Sequence, residues 1–237
     1  MVKWFSTFLT SSIGQKVIMS LTGLFLISFL LVHLVGNFQL LYLDEGQAFN
    51  DYAYFMTGNP AIKSISYGLY AFILLHAIQG ITLAVKNRRA RGNERYAVKV
   101  NRVADSAASS LSSVYMGSLG TIIFIFILIH MYQFWLKMKI GDVPAILSSS
   151  GDEINNLYFL VEAAFANPLY VAFYVISMIF IAFHLWHGFT SAFQTLGLNH
   201  KKYTPLIKTV GRVYAVLIPL GFAVIPVVMY LRYIDVL

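Results

Sequence analysis

The chain has 237 residues, of which 58% are hydrophobic and 11% charged, with a formal net charge of +7 and no cysteine. A soluble domain carries about 25% charged residues, so apolar residues gathered in long blocks exclude an ordinary soluble globule and mark an integral membrane protein. The lack of cysteine excludes a disulfide framework, covalent c-type haem attachment and a thiolate-ligated iron–sulfur cluster within this chain.

Residues 1–12 are too short to span a bilayer. With Lys3, Trp4, Phe5 and Phe8 they are expected to lie in the interface. They make a poor secretory signal, because no long apolar run follows Lys3 before Thr10-Ser11-Ser12 and no cleavage site is evident. The first apolar segment covers residues 16–42 and carries His33, with Asn37 one turn later. The second covers 61–85 with His76, and the third 111–136 with His130. The fourth covers 168–193 with His184 and His187, and the fifth 206–231 with Pro219 and Pro226, where kinks rather than breaks are expected. Each segment is long enough to cross a hydrocarbon core of about 30 Å at about 1.5 Å per residue. Backbone groups in lipid must be satisfied internally, so the expected fold class is all-α: one integral membrane domain over 1–237, a bundle of five transmembrane helices.

Charge sets the expected orientation. The N-terminal segment, the second-to-third loop and the fourth-to-fifth loop hold 13 of the 17 basic residues, among them Lys86, Arg88, Arg89, Arg95, Lys99, Arg102, Lys201 and Lys202. The other side holds Lys63, Lys137, Lys139 and Arg232, with eight of the ten acids, including Asp44, Glu45, Asp51 and Asp142. The positive-inside rule then puts the N-terminus in the cytoplasm and the C-terminus outside. The basic loops serve topology and lipid contact, and are compatible with docking of a cytoplasmic partner. Nucleic acid is not an expected partner, because the basic residues sit in short loops between spans.

An ionisable side chain inside a span is costly and usually functional. His33 lies 17 residues after Lys16, and His130 seven before Lys137, which puts both in the outer half. His76 and His184 each lie 16 residues after a proline, Pro60 and Pro168, at the outer entrance of a segment, which puts both in the inner half at matched depth. The pairs read from depth are His33 with His130 (outer) and His76 with His184 (inner). Haem iron accepts imidazole on both faces, so two pairs suit two six-coordinate haems b, with the four histidines as iron ligands. A lone transmembrane histidine is more often an interhelical contact or proton relay; four on separate segments at two depths favour haem. His76 and Gly80, and His184 and Gly188, share the form H-x-x-x-G, and Gly23 and Gly120 each precede an outer histidine by ten residues. Such glycines leave room for a flat macrocycle or serve helix packing. His187 is the rival to His184, and otherwise lies beside the haem on the propionate side. His200, next to Lys201 and Lys202, is expected to be solvated.

The ordered series TGLFLISFLLVHLVGN around His33, AFNDYAYFM in the next loop, LLHAIQG around His76, ILIH at His130 and FHLWHGFTSAFQTLG at His184 covers nearly the whole chain. It resembles the five-helix, di-haem cytochrome b anchor subunit of succinate dehydrogenase and fumarate reductase complexes. The resemblance implies one haem ligand from each of the first four helices. The family's final motif, H-x-x-x-G with a further glycine, matches His184, Gly188 and Gly197 and so favours His184 over His187.

It also implies a cytoplasmic flavoprotein with FAD and the dicarboxylate site, an iron–sulfur subunit, and electron exchange with a membrane quinone, with menaquinone the expected one. Lys86, Arg88, Arg89 and Arg95 are candidate docking charges. The family setting is the bacterial cytoplasmic membrane, in the tricarboxylic acid cycle or anaerobic respiration, and a dimer of the whole complex suits it. Asn37 is a candidate donor to a quinone carbonyl, or an interfacial cap. The carboxylates that some members use for quinol protons are not at the matching places: residues 55–60 read FMTGNP, Asp51 is the nearest acid, and Ala182 and Phe183 precede His184. The rival readings are a cytochrome b anchor of another dehydrogenase, such as a hydrogenase or formate dehydrogenase, and a haem-free transporter.

Overall fold

The structure is a computed structural model that describes residues 2–92, 107–141 and 143–237. Arg95, Lys99, Arg102 and Asp142, used in the charge reading, lie outside the described residues. Helix α1 (Val2–Thr10) is followed by α2 (Ser12–Asn37) and a 3-10 turn (Phe38–Leu41). Then come α3 (Gln47–Gly58), α4 (Pro60–Arg91) and α5 (Ala107–His130), which continues as a π-helical segment (Met131–Leu136) and α6 (Lys137–Ile140). A two-stranded antiparallel hairpin, β1 (Ala145–Leu147) with β2 (Glu153–Asn155), leads to α7 (Leu157–Phe165), α8 (Pro168–Thr195) and α9 (Thr204–Tyr233). Five helices are long and apolar enough to cross a membrane: Ser12–Leu41, Pro60–Ala90, Val114–Ile140, Pro168–Thr195 and Thr204–Tyr233.

These helices overrun the expected segments at most ends. The second reaches Arg91 rather than residue 85, and the fifth starts at Thr204 and ends at Tyr233. A hydrophobic-length reading stops where charge begins, whereas backbone hydrogen bonds continue into the polar flank. Helix α4 and helix α8 open in the same way. Asn59 Oδ1 accepts from the Ala61 amide at 3.0 Å, Asn167 Oδ1 accepts from the Leu169 amide at 2.9 Å, and a proline holds the first helical position of each. Helix α9 runs unbroken through Pro219 and Pro226.

The chain forms two compact units, each assembled from stretches of several helices. The first comprises Met1–Ser28, Tyr70–Phe124 and Phe180–Val216. Small residues bring its helices close. An added Cβ at Gly117 would stand 3.0 Å from Ala84 Cβ, and one at Gly211 would stand 2.7 Å from Phe189 Cδ1. The Tyr214 hydroxyl donates to the Ile27 carbonyl, and Lys86 Nζ donates to Gln15 Oε1 at 2.9 Å.

The second unit comprises Phe29–Leu69, Ile125–Ile179 and Leu217–Leu237. Here α9 meets α2 at Gly221, where a Cβ would stand 2.9 Å from Leu34 Cδ2. Arg232 donates to the Leu41 carbonyl at 2.7 Å. Helix α3, the hairpin and α7 are knitted together by side chains. Asn50, only 1% exposed, donates to Asn156 Oδ1 at 3.0 Å and accepts from the Tyr158 amide at 2.9 Å. Asp51 accepts from the Ser149 hydroxyl, from the Ser149 amide at 3.1 Å and from Gln47 at 3.2 Å. These hydrogen bonds, the Ser149 hydroxyl's first, hold the Asp51 carboxyl below its ordinary value.

Candidate functional site

The four histidines read from depth meet in two pairs, one in each unit. In the first unit the rings of His76 on α4 and His184 on α8 lie 6.2 Å apart, centre to centre, with planes at 74°. His76 Nδ1 is 3.2 Å from the Met19 carbonyl oxygen and 3.2 Å from Thr22 Oγ1. A carbonyl only accepts, and the single hydroxyl proton of buried Thr22 goes back to α2, where Ile18 O lies 2.9 Å away. His76 Nδ1 therefore carries the ring proton, and Nε2 keeps a free lone pair.

Gly23 permits this approach, since an added Cβ would stand 3.1 Å from His76 Cε1. A Cβ on Gly120 would stand 3.9 Å from His184 Cε1, in ordinary contact. The two glycines that precede His33 and His130 by ten residues thus lie against His76 and His184. Gly80 and Gly188 face methionines, Met19 Sδ at 4.0 Å and Met116 Cε at 3.8 Å from the added Cβ. His184 Nδ1 is buried and has no hydrogen-bond partner among the described residues. His187 is half-buried on the same helix, and His200 is exposed.

In the second unit the rings of His33 on α2 and His130 at the end of α5 lie 5.8 Å apart with planes at 87°. Phe29 stacks on His33 at 5.2 Å, and Phe222 lies 5.6 Å from it. Phe126 and Phe134 flank His130 at 5.9 and 5.2 Å. The Tyr174 hydroxyl lies 3.2 Å from His130 Nδ1. Asn37 Nδ2 donates to the backbone carbonyl of His33 at 2.7 Å and stands 3.3 Å from His33 Nδ1. The Asn37 amide is thus engaged by the histidine one turn before it.

Among the described residues no three His, Cys, Asp or Glu side chains converge as a metal site would require. Each pair offers two imidazoles, too few for a four-ligand zinc site but sufficient for a metal whose equatorial positions are filled by a macrocycle. An imidazole nitrogen ligates at about 2 Å and lies roughly 1 Å from its ring centre, so two imidazoles on opposite faces of one metal have centres about 6 Å apart. The observed 6.2 and 5.8 Å fit that spacing. The His33–His130 pair is lined by the rings of Phe29, Phe222, Phe126 and Phe134, whereas the His76–His184 pair is met by Gly23, Gly120 and the Thr22 hydroxyl.

Three features escaped the sequence reading: Thr22, Tyr174 and the π-helical segment that begins at Met131. A hydroxyl in an apolar span is the available signal for Thr22 and Tyr174, because such a group seeks a partner when buried. No sequence signal marks the π segment, a distortion common beside functional residues. Of the candidate docking charges, Lys86, Arg88 and Arg89 are exposed on the last turns of α4. No protein-family model, curated protein or solved structure matches this chain.

Proposed function

We propose that this chain is the cytochrome b membrane anchor of a succinate:quinone oxidoreductase, held in the bacterial cytoplasmic membrane. On this reading His33 with His130, and His76 with His184, ligate the iron of two haems b. The observation that carries the reading is the pair of imidazole couples, each about 6 Å across and each joining two long apolar helices. Haem, when bound, supplies one-electron redox chemistry, and the chain's residues orient the ligands and exclude water.

His76 suits the role best, because Met19 and Thr22 fix its proton on Nδ1 and leave Nε2 to bind iron. His33 needs the same tautomer, so the Asn37 amide, whose Nδ2 faces His33 Nδ1 at 3.3 Å and can only donate, has to leave Nδ1 when Nε2 binds iron. A quinone carbonyl that takes a hydrogen bond from Asn37 would compete with its contact to His33 Nδ1, coupling quinone occupancy to the ligand. The flavoprotein and iron–sulfur partners supply dicarboxylate chemistry and the first electron relay; this chain contributes no dicarboxylate site. The exposed Lys86, Arg88 and Arg89 suit docking of that cytoplasmic partner.

A dithionite-reduced minus oxidised spectrum with a pyridine haemochrome assay tests this on the purified chain. Two haems b per chain are expected, with one lost in His184→Ala and both kept in His187→Ala. A folded, colourless preparation would exclude electron transfer and favour a haem-free transporter. Co-purification with hydrogenase or formate dehydrogenase subunits would reassign the anchor while keeping the haems.

A further inference from the structure

Tyr174 is buried at 6% exposure, and its hydroxyl meets His130 Nδ1 at 3.2 Å across two helices. Its ring is fixed from several sides. Phe126 of α5 meets it edge-on at 5.1 Å, Phe134 of the π segment at 6.2 Å and Phe165 of α7 at 5.2 Å. Such edge-to-face contacts hold an aromatic ring in one rotamer beyond what area burial alone would do. The π segment contributes directly, because it starts immediately after His130 and carries Phe134 against both rings. A hydroxyl can donate or accept, so this contact fits either tautomer of His130, and ligation through Nε2 would select the one with the proton on Nδ1.

We infer that Tyr174 is a positioning residue for His130, its hydroxyl accepting from Nδ1–H so that Nε2 is left as the ligating nitrogen. This rests on the haem reading above. The reverse polarity, with the phenol donating to Nδ1, would put the ring proton on Nε2 and forbid ligation there. An acceptor on Nδ1–H also makes the imidazole more basic, so it stabilises oxidised iron and lowers the potential of the group it holds.

Tyr174→Phe removes one oxygen atom and keeps every ring contact, so the fold is retained. The experiment is a potentiometric titration of the haem b absorbance of the full chain, wild type against Tyr174→Phe, with haem counted by pyridine haemochrome. Two haems per chain are expected in both. One midpoint should rise in the variant, the reduced-to-oxidised ratio increasing about tenfold at the wild-type midpoint, which is about 59 mV for one electron. The other midpoint should not move, and it reports that the fold is intact. Loss of one haem with the second midpoint unchanged would also support the inference, because a misdirected His130 cannot hold its iron. Two haems with both midpoints unmoved would overturn it while leaving the haem reading standing. A wild-type chain that binds no haem would overturn both.

Discussion

Gly23 sets how closely α2 can approach His76. An added Cβ there would stand 3.1 Å from His76 Cε1 and 3.6 Å from Nδ1, so the imidazole would have to give way. Gly23→Ala should therefore cost about 1–3 kcal/mol through overpacking and disturb the Nδ1 contacts with Met19 and Thr22. Gly80→Ala meets only the flexible end of Met19 at 4.0 Å and should be neutral or gain about 0.5–1 kcal/mol. Thermal melting and haem content of the two variants, side by side, check this; equal behaviour would contradict it. The comparison also marks what sequence can say about single residues. His76 and His184 share a count because each follows an Asn-Pro helix start by the same distance, and a count along a capped helix fixes depth. The ten-residue glycine spacing had no such anchor. Periodicity on one helix does not tell which neighbour's side chain faces it, so the spacing from Gly23 to His33 and from Gly120 to His130 does not reveal that these glycines meet His76 and His184. Thr22 and Tyr174 act across helices and were hidden for the same reason.

At the scale of elements, the five long helices were legible because apolar length is written directly in the sequence. The short elements between them were not. Helix α3, the hairpin and α7 depend on hydrogen bonds between residues about a hundred positions apart, such as Asn50 to the Tyr158 amide and Asp51 to Ser149. Asp51 gives this assembly a pH dependence. Its folded pKa lies below the unfolded value of about 3.9, so its contribution is fully present above that value and lost as pH falls through the folded one. Limited proteolysis of the hairpin turn should show constant protection near neutrality and rising cleavage below about pH 4. Ser149→Ala should raise cleavage at neutral pH and flatten the acid response. A variant that tracks the wild type at every pH would show that Asp51 does not hold the hairpin. The same hydrogen bonds keep Asp51 ionised, which makes it a poor acceptor for quinol protons.

At the scale of the whole molecule, orientation rests on the distribution of charge: 13 basic residues on one set of loops against four on the other. The bias of Lys and Arg near span ends sets topology because translocating them is costly, and acids weigh little. The chain has no cysteine, so any introduced thiol is unique and its accessibility reports the side on which it lies. Asn199 and Thr57 are exposed and neutral, in the fourth-to-fifth loop and at the end of α3. Replacing them leaves the charge bias intact. In whole cells a membrane-impermeant maleimide should label Thr57→Cys and spare Asn199→Cys, and in inverted vesicles the labelling should reverse. The opposite pattern would place Lys86, Arg88 and Arg89 outside the cell. No cytoplasmic iron–sulfur partner could then dock on them, and the anchor reading would lose its electron source while the histidine pairs kept their geometry. Labelling on both sides in both preparations would mean mixed insertion, and would show that 13 against four is too weak a bias to orient this chain.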